Sequence, residues 1–216
     1  MNREEVVART RATGVVAIMR HTEAARAIET AEALLGSGVE VIEVTMNTAG
    51  ALGMITGLVE HFGDRVVVGA GTVLSVEAAR EAIDAGARLL VSPHLDEGIV
   101  RYAVEAAIAV VPGAFTPTEI FRAWSAGASL VKVFPAGPVG PLYIRDVLAP
   151  LNQIPLLPTG GVNLENAADF IRAGASALGL GSALVDPKLV AEGKYDQISR
   201  TAAAFCEAVR VGRGKK

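Results

Sequence analysis

The sequence predicts a (β/α)8 barrel, eight parallel strands alternating with helices, with an N-terminal lead-in helix and a C-terminal closing helix. Three observations predict it. Apolar runs of strand length alternate with helical patterns eight times along 216 residues, and no composition break or long linker divides them, so residues 1–216 read as one domain. The runs are near-continuously apolar, as in parallel strands covered on both faces. Three helix-to-strand joints repeat one motif, Asp84-Ala85-Gly86-Ala87, Ser125-Ala126-Gly127-Ala128 and Arg172-Ala173-Gly174-Ala175, in which glycine stops the helix. A doubly wound open sheet is the structural alternative. It is weaker, because no glycine-rich dinucleotide turn follows the first strand.

Taken in order, Asn2 to Thr13 reads as a polar, amphipathic lead-in helix, and Gly14 to Arg20 as the first strand. Thr22 is a good N-cap, with Glu23 in the first turn of an alanine-rich helix that runs to about Leu35 and stops at Gly36-Ser37-Gly38. Val39 to Asn47 is the second strand, Ala51 to His61 its helix, and Arg65 to Val73 the third strand; Ser75 caps a helix reaching about Ala85. Ala87 to Pro93 is the fourth strand, Asp96 to Ala107 its helix, and Ala109 to Pro112 a short fifth strand. Thr116-Pro117-Thr118-Glu119 supplies a cap, a proline at the first helical position and an acid in the first turn, opening a helix to Ala126. Leu130 to Pro135 is the sixth strand, Gly140 to Pro150 its helix, Ile154 to Thr159 the seventh strand and Asn163 to Ala173 its helix. Ala175 to Gly181 is the eighth strand, and a helix from about Ala191 to Val209 closes the chain.

Composition narrows the function classes. A net charge of -3 and no basic cluster argue against a nucleic-acid surface; the short Arg210 to Lys216 tail reads as a solvated, frayed end. The lone Cys206 cannot form an internal disulfide, and neither a charged-then-apolar leader nor a long uncharged span occurs, so a cytoplasmic protein without a membrane partner is expected. Positive mean hydropathy points to buried strands and a subunit interface.

The centre of the chain's chemistry is Leu130-Val131-Lys132-Val133-Phe134-Pro135. Alternate side chains of a strand face opposite ways, so Leu130, Lys132 and Phe134 share one face. A strand-end lysine that snorkels to water is one reading. The other is a buried amine held neutral by desolvation, which is a nucleophile. Glu43, Thr45 and Asn47 likewise share one face of the second strand, so a carboxylate would point into the barrel among branched apolar residues. Alone it is as well explained by an ion pair with Arg20 or Lys132. With a barrel-facing lysine on another strand, acid and amine together suggest a nucleophile with a proton shuttle.

Other polar residues stand at strand C-terminal ends, where barrels keep their chemistry: Arg20, Thr72, Ser92 with Pro93, and Thr159. Pro158-Thr159-Gly160-Gly161-Val162-Asn163 carries the seventh strand into a helix, and Gly179-Leu180-Gly181-Ser182 ends the eighth at another helix start. Backbone amides unobstructed by side chains can converge on an anion there, as in barrel phosphate sites; a pair of tight turns is the plain alternative. His21, His61 and His94 are scattered without helical ligand spacing, so no metal and no cofactor is expected. Met19, Met46, Met54, Phe62 and Trp124 read as packing residues.

Glu43-Val44-Thr45, Gly69-Ala70-Gly71-Thr72-Val73, Val91-Ser92-Pro93-His94, Val131-Lys132-Val133-Phe134-Pro135, Pro158-Thr159-Gly160-Gly161-Val162 and Gly179-Leu180-Gly181-Ser182 together resemble the 2-keto-3-deoxy-6-phosphogluconate (KDPG) aldolases, also called the 4-hydroxy-2-oxoglutarate aldolase family. The resemblance runs in order from about Gly14 to Val185. It implies a metal-independent class I aldolase on a (β/α)8 barrel, commonly a homotrimer. Such enzymes cleave the phosphorylated keto-deoxy sugar acid to pyruvate and glyceraldehyde 3-phosphate, and some relatives cleave 4-hydroxy-2-oxoglutarate to pyruvate and glyoxylate.

Carried over by residue, the resemblance makes Lys132 the imine-forming lysine and Glu43 the general acid and base. Thr72, Pro93 and Thr159 line the pyruvate end, and Arg20 stands near the charged or hydroxylated portion of the substrate. Gly160, Gly161, Gly181 and Ser182 hold phosphate. Asn47 departs from the pattern: some relatives carry a carboxylate-binding arginine there, and the galactonate-derived branch resembles this chain more at that position. Two other readings share the scaffold: an isomerase or epimerase using Lys132 only as a charge, and a non-catalytic phosphosugar-binding protein.

Overall fold

The computed structural model describes residues 1–214. At its centre is a curled, wholly parallel sheet in two parts. Strands β1 (Val15–Met19), β2 (Val41–Thr45), β3 (Val67–Gly71), β4 (Leu89–Val91), β5 (Ala109–Val111) and β9 (Leu178–Leu180) form the larger part in the order β5-β4-β3-β2-β1-β9. Strands β6 (Gly113–Ala114), β7 (Val131–Val133) and β8 (Leu156–Pro158) form the smaller, with β7 central. The parts adjoin at two places. Only Pro112 separates β5 from β6; a proline has no N–H to give the ladder, while its carbonyl accepts from Lys132 N at 2.9 Å. At the other seam Thr159, just past β8, bridges Gly179 of β9.

The strand alternation sorts side chains into two apolar layers. Val16, Val41, Val67, Leu89, Leu130 and Leu157 pack into an inner cluster, while Val15, Ile42, Val68, Leu90 and Val131, one residue out of step, face the helices in an outer one. Helix α1 (Arg3–Thr13), capped by Asn2 and Glu5, lies against β1, β2 and β5 and inserts Val6 into the inner cluster. The helix was expected to be amphipathic, yet only Val6 and Thr10 are buried along it, and Thr10 Oγ1 donates to its own helix at Val6 O.

Local signals placed most of the outer helices: α2 (Ala27–Leu35), α3 (Ala51–Phe62), α4 (Val76–Asp84), α5 (Glu97–Glu105), α6 (Pro117–Ser125), α7 (Gly140–Leu148) and α8 (Ala167–Arg172). Ser75 accepts from Ala78 N, Asp96 from Gly98 N and Ile99 N, and Thr116 with Glu119 forms a capping box. Gly86, Gly127 and Gly174 take positive φ of 102°, 104° and 106° just beyond their helices.

Four expectations are corrected. Thr22 does not cap α2: a 3-10 turn at Ala24–Arg26 intervenes, and Thr22 Oγ1 is buried without a hydrogen-bond partner. Helix α8 begins at Ala167, not Asn163, because Asn163 Oδ1 instead accepts from Glu165 N and Asn166 N and holds a separate turn. The closing helix, α10 (Tyr195–Gly212), starts at Tyr195 rather than Ala191, and a separate short helix, α9 (Pro187–Ala191), capped by Asp186, precedes it.

The tail is likewise not frayed over its described part. Arg210 pairs with Glu207, and Arg213 donates to the carbonyls of Arg11, Ala12 and Ser176. Lys215 and Lys216 lie outside the described residues. Among the described residues no helix is long and apolar enough to cross a membrane.

Candidate active site

Lys132 sits at the centre of β7, paired in register with Gly113 of β6 and Leu157 of β8. It stands two positions beyond Leu130, which belongs to the inner cluster, so the same parity that buries Leu130 turns Lys132 inward. The residue is 3% exposed, and its Nζ lies 5.0 Å from the centroid of the Phe134 ring. Glu43 on β2 follows the same rule, two positions beyond Val41 and paired with Ile18 and Gly69. It is 2% exposed, and its Oε1 has no hydrogen-bond partner.

Room for that carboxyl comes from the neighbouring strand. A Cβ at Gly71 would fall well inside contact distance of Glu43 Oε1, so any larger residue there would displace the carboxyl. Desolvation raises the Glu43 pKa, opposed by the charges of Lys132 and Arg20. Desolvation also lowers that of Lys132; Glu43 opposes this shift and Arg20 adds to it. Burial therefore drives both groups toward their neutral forms. A neutral amine is a nucleophile, and a neutral carboxyl has a proton to give.

A cavity of about 350 Å³ is lined by Ile18, Arg20, His21, Phe134, Thr159, Gly160, Gly181, Ser182, Val185 and Pro187; Lys132 and Glu43 are not in its lining and adjoin it through Phe134 and Ile18. Phe134 links it to the lysine. Arg20 reaches across to Thr72, with Nη2 3.5 Å from the hydroxyl. Gly160 and Gly161 have φ of 80° and 82°, and Gly137 N–H donates to Gly160 O at 2.7 Å, tying the turn after β7 to the turn after β8. The carbonyl of Gly181 is used internally, accepting from Leu184 N and Val185 N. The Gly181 turn therefore runs through residues 182–184 before α9, and neither glycine turn opens directly into a helix as the sequence suggested.

Of the residues singled out from sequence, Arg20, Thr159, Gly160, Gly181 and Ser182 line this one cavity. Thr72 joins it through Arg20. Gly161 lies behind, its α-carbon abutting Gly137. Pro93 packs on Gly113, the register partner of Lys132. Asn47 is exposed in the turn after β2. Phe134 and His21 join the site without a motif in the sequence that assigns them to it. The shared parity of Phe134 with Lys132 was a usable signal, whereas the left-handed backbone of His21, φ 54°, left no local trace.

The family model for KDPG and KHG aldolase matches residues 6–201. The chain belongs to that aldolase family. It is accordingly a lyase. Among its relatives, the 2-dehydro-3-deoxy-6-phosphogalactonate aldolase of Escherichia coli K12 is 34% identical over 91% of this chain and 94% of that protein. The 2-dehydro-3-deoxy-phosphogluconate aldolase of Treponema pallidum is 33% identical over 96% and 97%. A solved KDPG aldolase from Legionella pneumophila, described with pyruvate captured at low pH as a covalent carbinolamine intermediate, superposes with a TM-score of 0.86 at 26% identity over 92% and 97%.

Proposed function

We propose that this aldolase is a class I enzyme cleaving 2-keto-3-deoxy-6-phosphogluconate to pyruvate and glyceraldehyde 3-phosphate, with 4-hydroxy-2-oxoglutarate, split to pyruvate and glyoxylate, as a further substrate. The observation that carries this reading is the buried Lys132 amine in the same interior as the buried Glu43 carboxyl, whose Oε1 has no hydrogen-bond partner. The carbinolamine described for the Legionella relative is the kind of adduct this amine would form.

Neutral Lys132 adds to the C2 ketone, forming the C–N bond, and a proton passes from nitrogen to oxygen to give the carbinolamine. Glu43, through a water, protonates the departing hydroxyl; water leaves, and a protonated imine faces a carboxylate. The carboxylate takes the C4 hydroxyl proton as the C3–C4 electron pair moves into the imine, releasing the aldehyde and leaving an enamine. Glu43 returns that proton to C3, restoring the protonated imine, and water hydrolyses it to pyruvate and free amine as the surplus proton goes back to the Glu43 carboxylate. Thr72, Pro93 and Thr159 shape the pyruvate end, and Arg20 meets the charged or hydroxylated portion. Gly160, Gly161, Gly181 and Ser182 hold the phosphate, whose remote binding energy positions the reacting bond.

The C4 epimer derived from galactonate is a second reading, supported by Asn47 and by the Escherichia coli relative named for that substrate. Parallel assays with both epimers decide between them. We also take the two sheet parts as one eight-stranded barrel in one domain, supported by the Pro112 junction and the Thr159 to Gly179 bridge. The enzyme is further taken as a cytoplasmic homotrimer. Exposed Phe115, Phe121 and Leu142 support the association, which a solution molar mass tests.

Borohydride reduction with pyruvate, followed by peptide mass analysis, tests the chemistry. A stable adduct on Lys132 is expected. A folded sample that forms none would have no imine mechanism.

A further inference from the structure

We propose that Thr45 and Thr48 are positioning residues that set the enzyme's affinity for the charged end of its substrate by clamping the backbone on both sides of Arg20. The observation is a chain of hydroxyls. His21 N–H donates to Thr48 Oγ1 at 3.0 Å, Thr48 Oγ1 and Thr45 Oγ1 lie 3.0 Å apart, and Thr45 Oγ1 donates to Met19 O at 3.5 Å. The two ends fix its direction. Because Met19 O can only accept and His21 N–H can only donate, each hydroxyl accepts once and donates once, and the run reads His21 N–H to Thr48 to Thr45 to Met19 O.

Met19 and His21 are the two neighbours of Arg20 in the chain. The backbone carrying Arg20 is thus bracketed from the adjacent strand end, and the bracket is buried, with Thr45 at 0% and Thr48 at 5% exposure. It also holds a conformation that the chain would otherwise avoid, since His21 has a φ of 54° and no glycine is there to take it. Thr48 is itself held in place, because its own N–H bonds to Thr45 O at 2.9 Å, and Met46 N–H bonds to Gly71 O at 2.8 Å, anchoring the turn to β3. Arg20 itself is exposed and lines the cavity, with a side-chain contact at Thr72, and its backbone fixes the point from which that side chain reaches out.

This assignment rests on the aldolase reading and deepens it. Thr48→Val keeps the shape of the side chain and removes the hydroxyl, leaving His21 N–H and Thr45 without their partner. The expected result is a rise in KM for the phosphorylated keto-deoxy acid of about tenfold, the size of one or two lost hydrogen bonds, with kcat within about twofold of wild type. Thr48→Ser restores KM, because it restores the hydroxyl. In an Arg20→Ala background, Thr48→Val adds nothing further, since the residue it positions is gone. Thr45→Val, which cuts the chain at its other end, raises KM in the same way and serves if Thr48→Val does not fold.

Borohydride trapping of pyruvate on Lys132 persists in the threonine variants that keep Arg20. Unchanged KM in Thr48→Val, a fall confined to kcat, or an equal further loss on top of Arg20→Ala overturns the clamp while the wild-type adduct leaves the imine chemistry standing. Absence of the adduct from the wild type removes both.

Discussion

The inner cluster has two halves built on the same strands, and they obey opposite rules. Toward the strand N-termini it is apolar throughout: Val41, Val67, Leu89 and Leu130 close on one another, and Val6 of α1 inserts among them. Two residues further along β2 and β7, the same inward face presents Glu43 and Lys132, a carboxyl with an unpartnered oxygen and an amine with its pKa held down. The lower half supplies stability in the usual way, by burying apolar area. The upper half uses that rigidity to keep two desolvated groups in place that would otherwise seek water or each other.

The largest expected break in this contrast is Lys132→Met. It extends the apolar rule upward by one residue, and turnover should fall by at least about 10⁴-fold, as when other enzymes lose a nucleophile. The same variant should be the more stable protein by about 1 kcal/mol in denaturant titration, because a desolvated amine has been replaced by a thioether of similar reach. Loss of both activity and stability would mean that Lys132 is a structural group.

Glu43→Gln keeps the volume beside Gly71 and removes the proton shuttle, so kcat should fall by about 10²- to 10⁴-fold with a smaller loss of phosphate affinity; single-turnover kinetics read the difference. From the other half, Leu89→Ala should cost about 2 to 5 kcal/mol of stability, leaving kcat per folded molecule within about twofold. A catalytic loss from Leu89→Ala would show that the halves are coupled.

The smallest expected effect is electrostatic. Imine formation needs neutral Lys132, so the pyruvate-trapping rate rises with pH through the lysine pKa. Arg20 helps to depress that pKa, and Arg20→Ala should therefore move the rising limb to higher pH. A limb that stays put or moves down would take Arg20 out of the lysine's environment.

The parts of this architecture that obey local rules were legible in the sequence. Parity placed Lys132 and Glu43 inward, glycine marked the helix stops at Gly86, Gly127 and Gly174, and side-chain chemistry marked the caps at Ser75, Asp96 and Thr116. What escaped depends on residues far apart in the chain. Thr22 has cap chemistry, but the backbone around it turns before the helix starts. Gly71 reads as one small residue in a strand until Glu43 is seen to fill the space beside it. Within the site, the glycine turns were recognisable as candidates, yet the tie from Gly137 to Gly160 and the bracket around Arg20 are contacts between different loops.

Arg213 is the farthest such contact. Its hydrogen bonds to Ala12 O and Arg11 O span 201 and 202 positions, and they secure the C-terminal end of the helix that closes the lower half. During synthesis α1 precedes α10, and water serves its last carbonyls until Arg213 takes over. The two helices nearest the ends of the described chain are thereby closed on one another, so the last turn of α1 reaches its final packing only once the chain through Arg213 has been made.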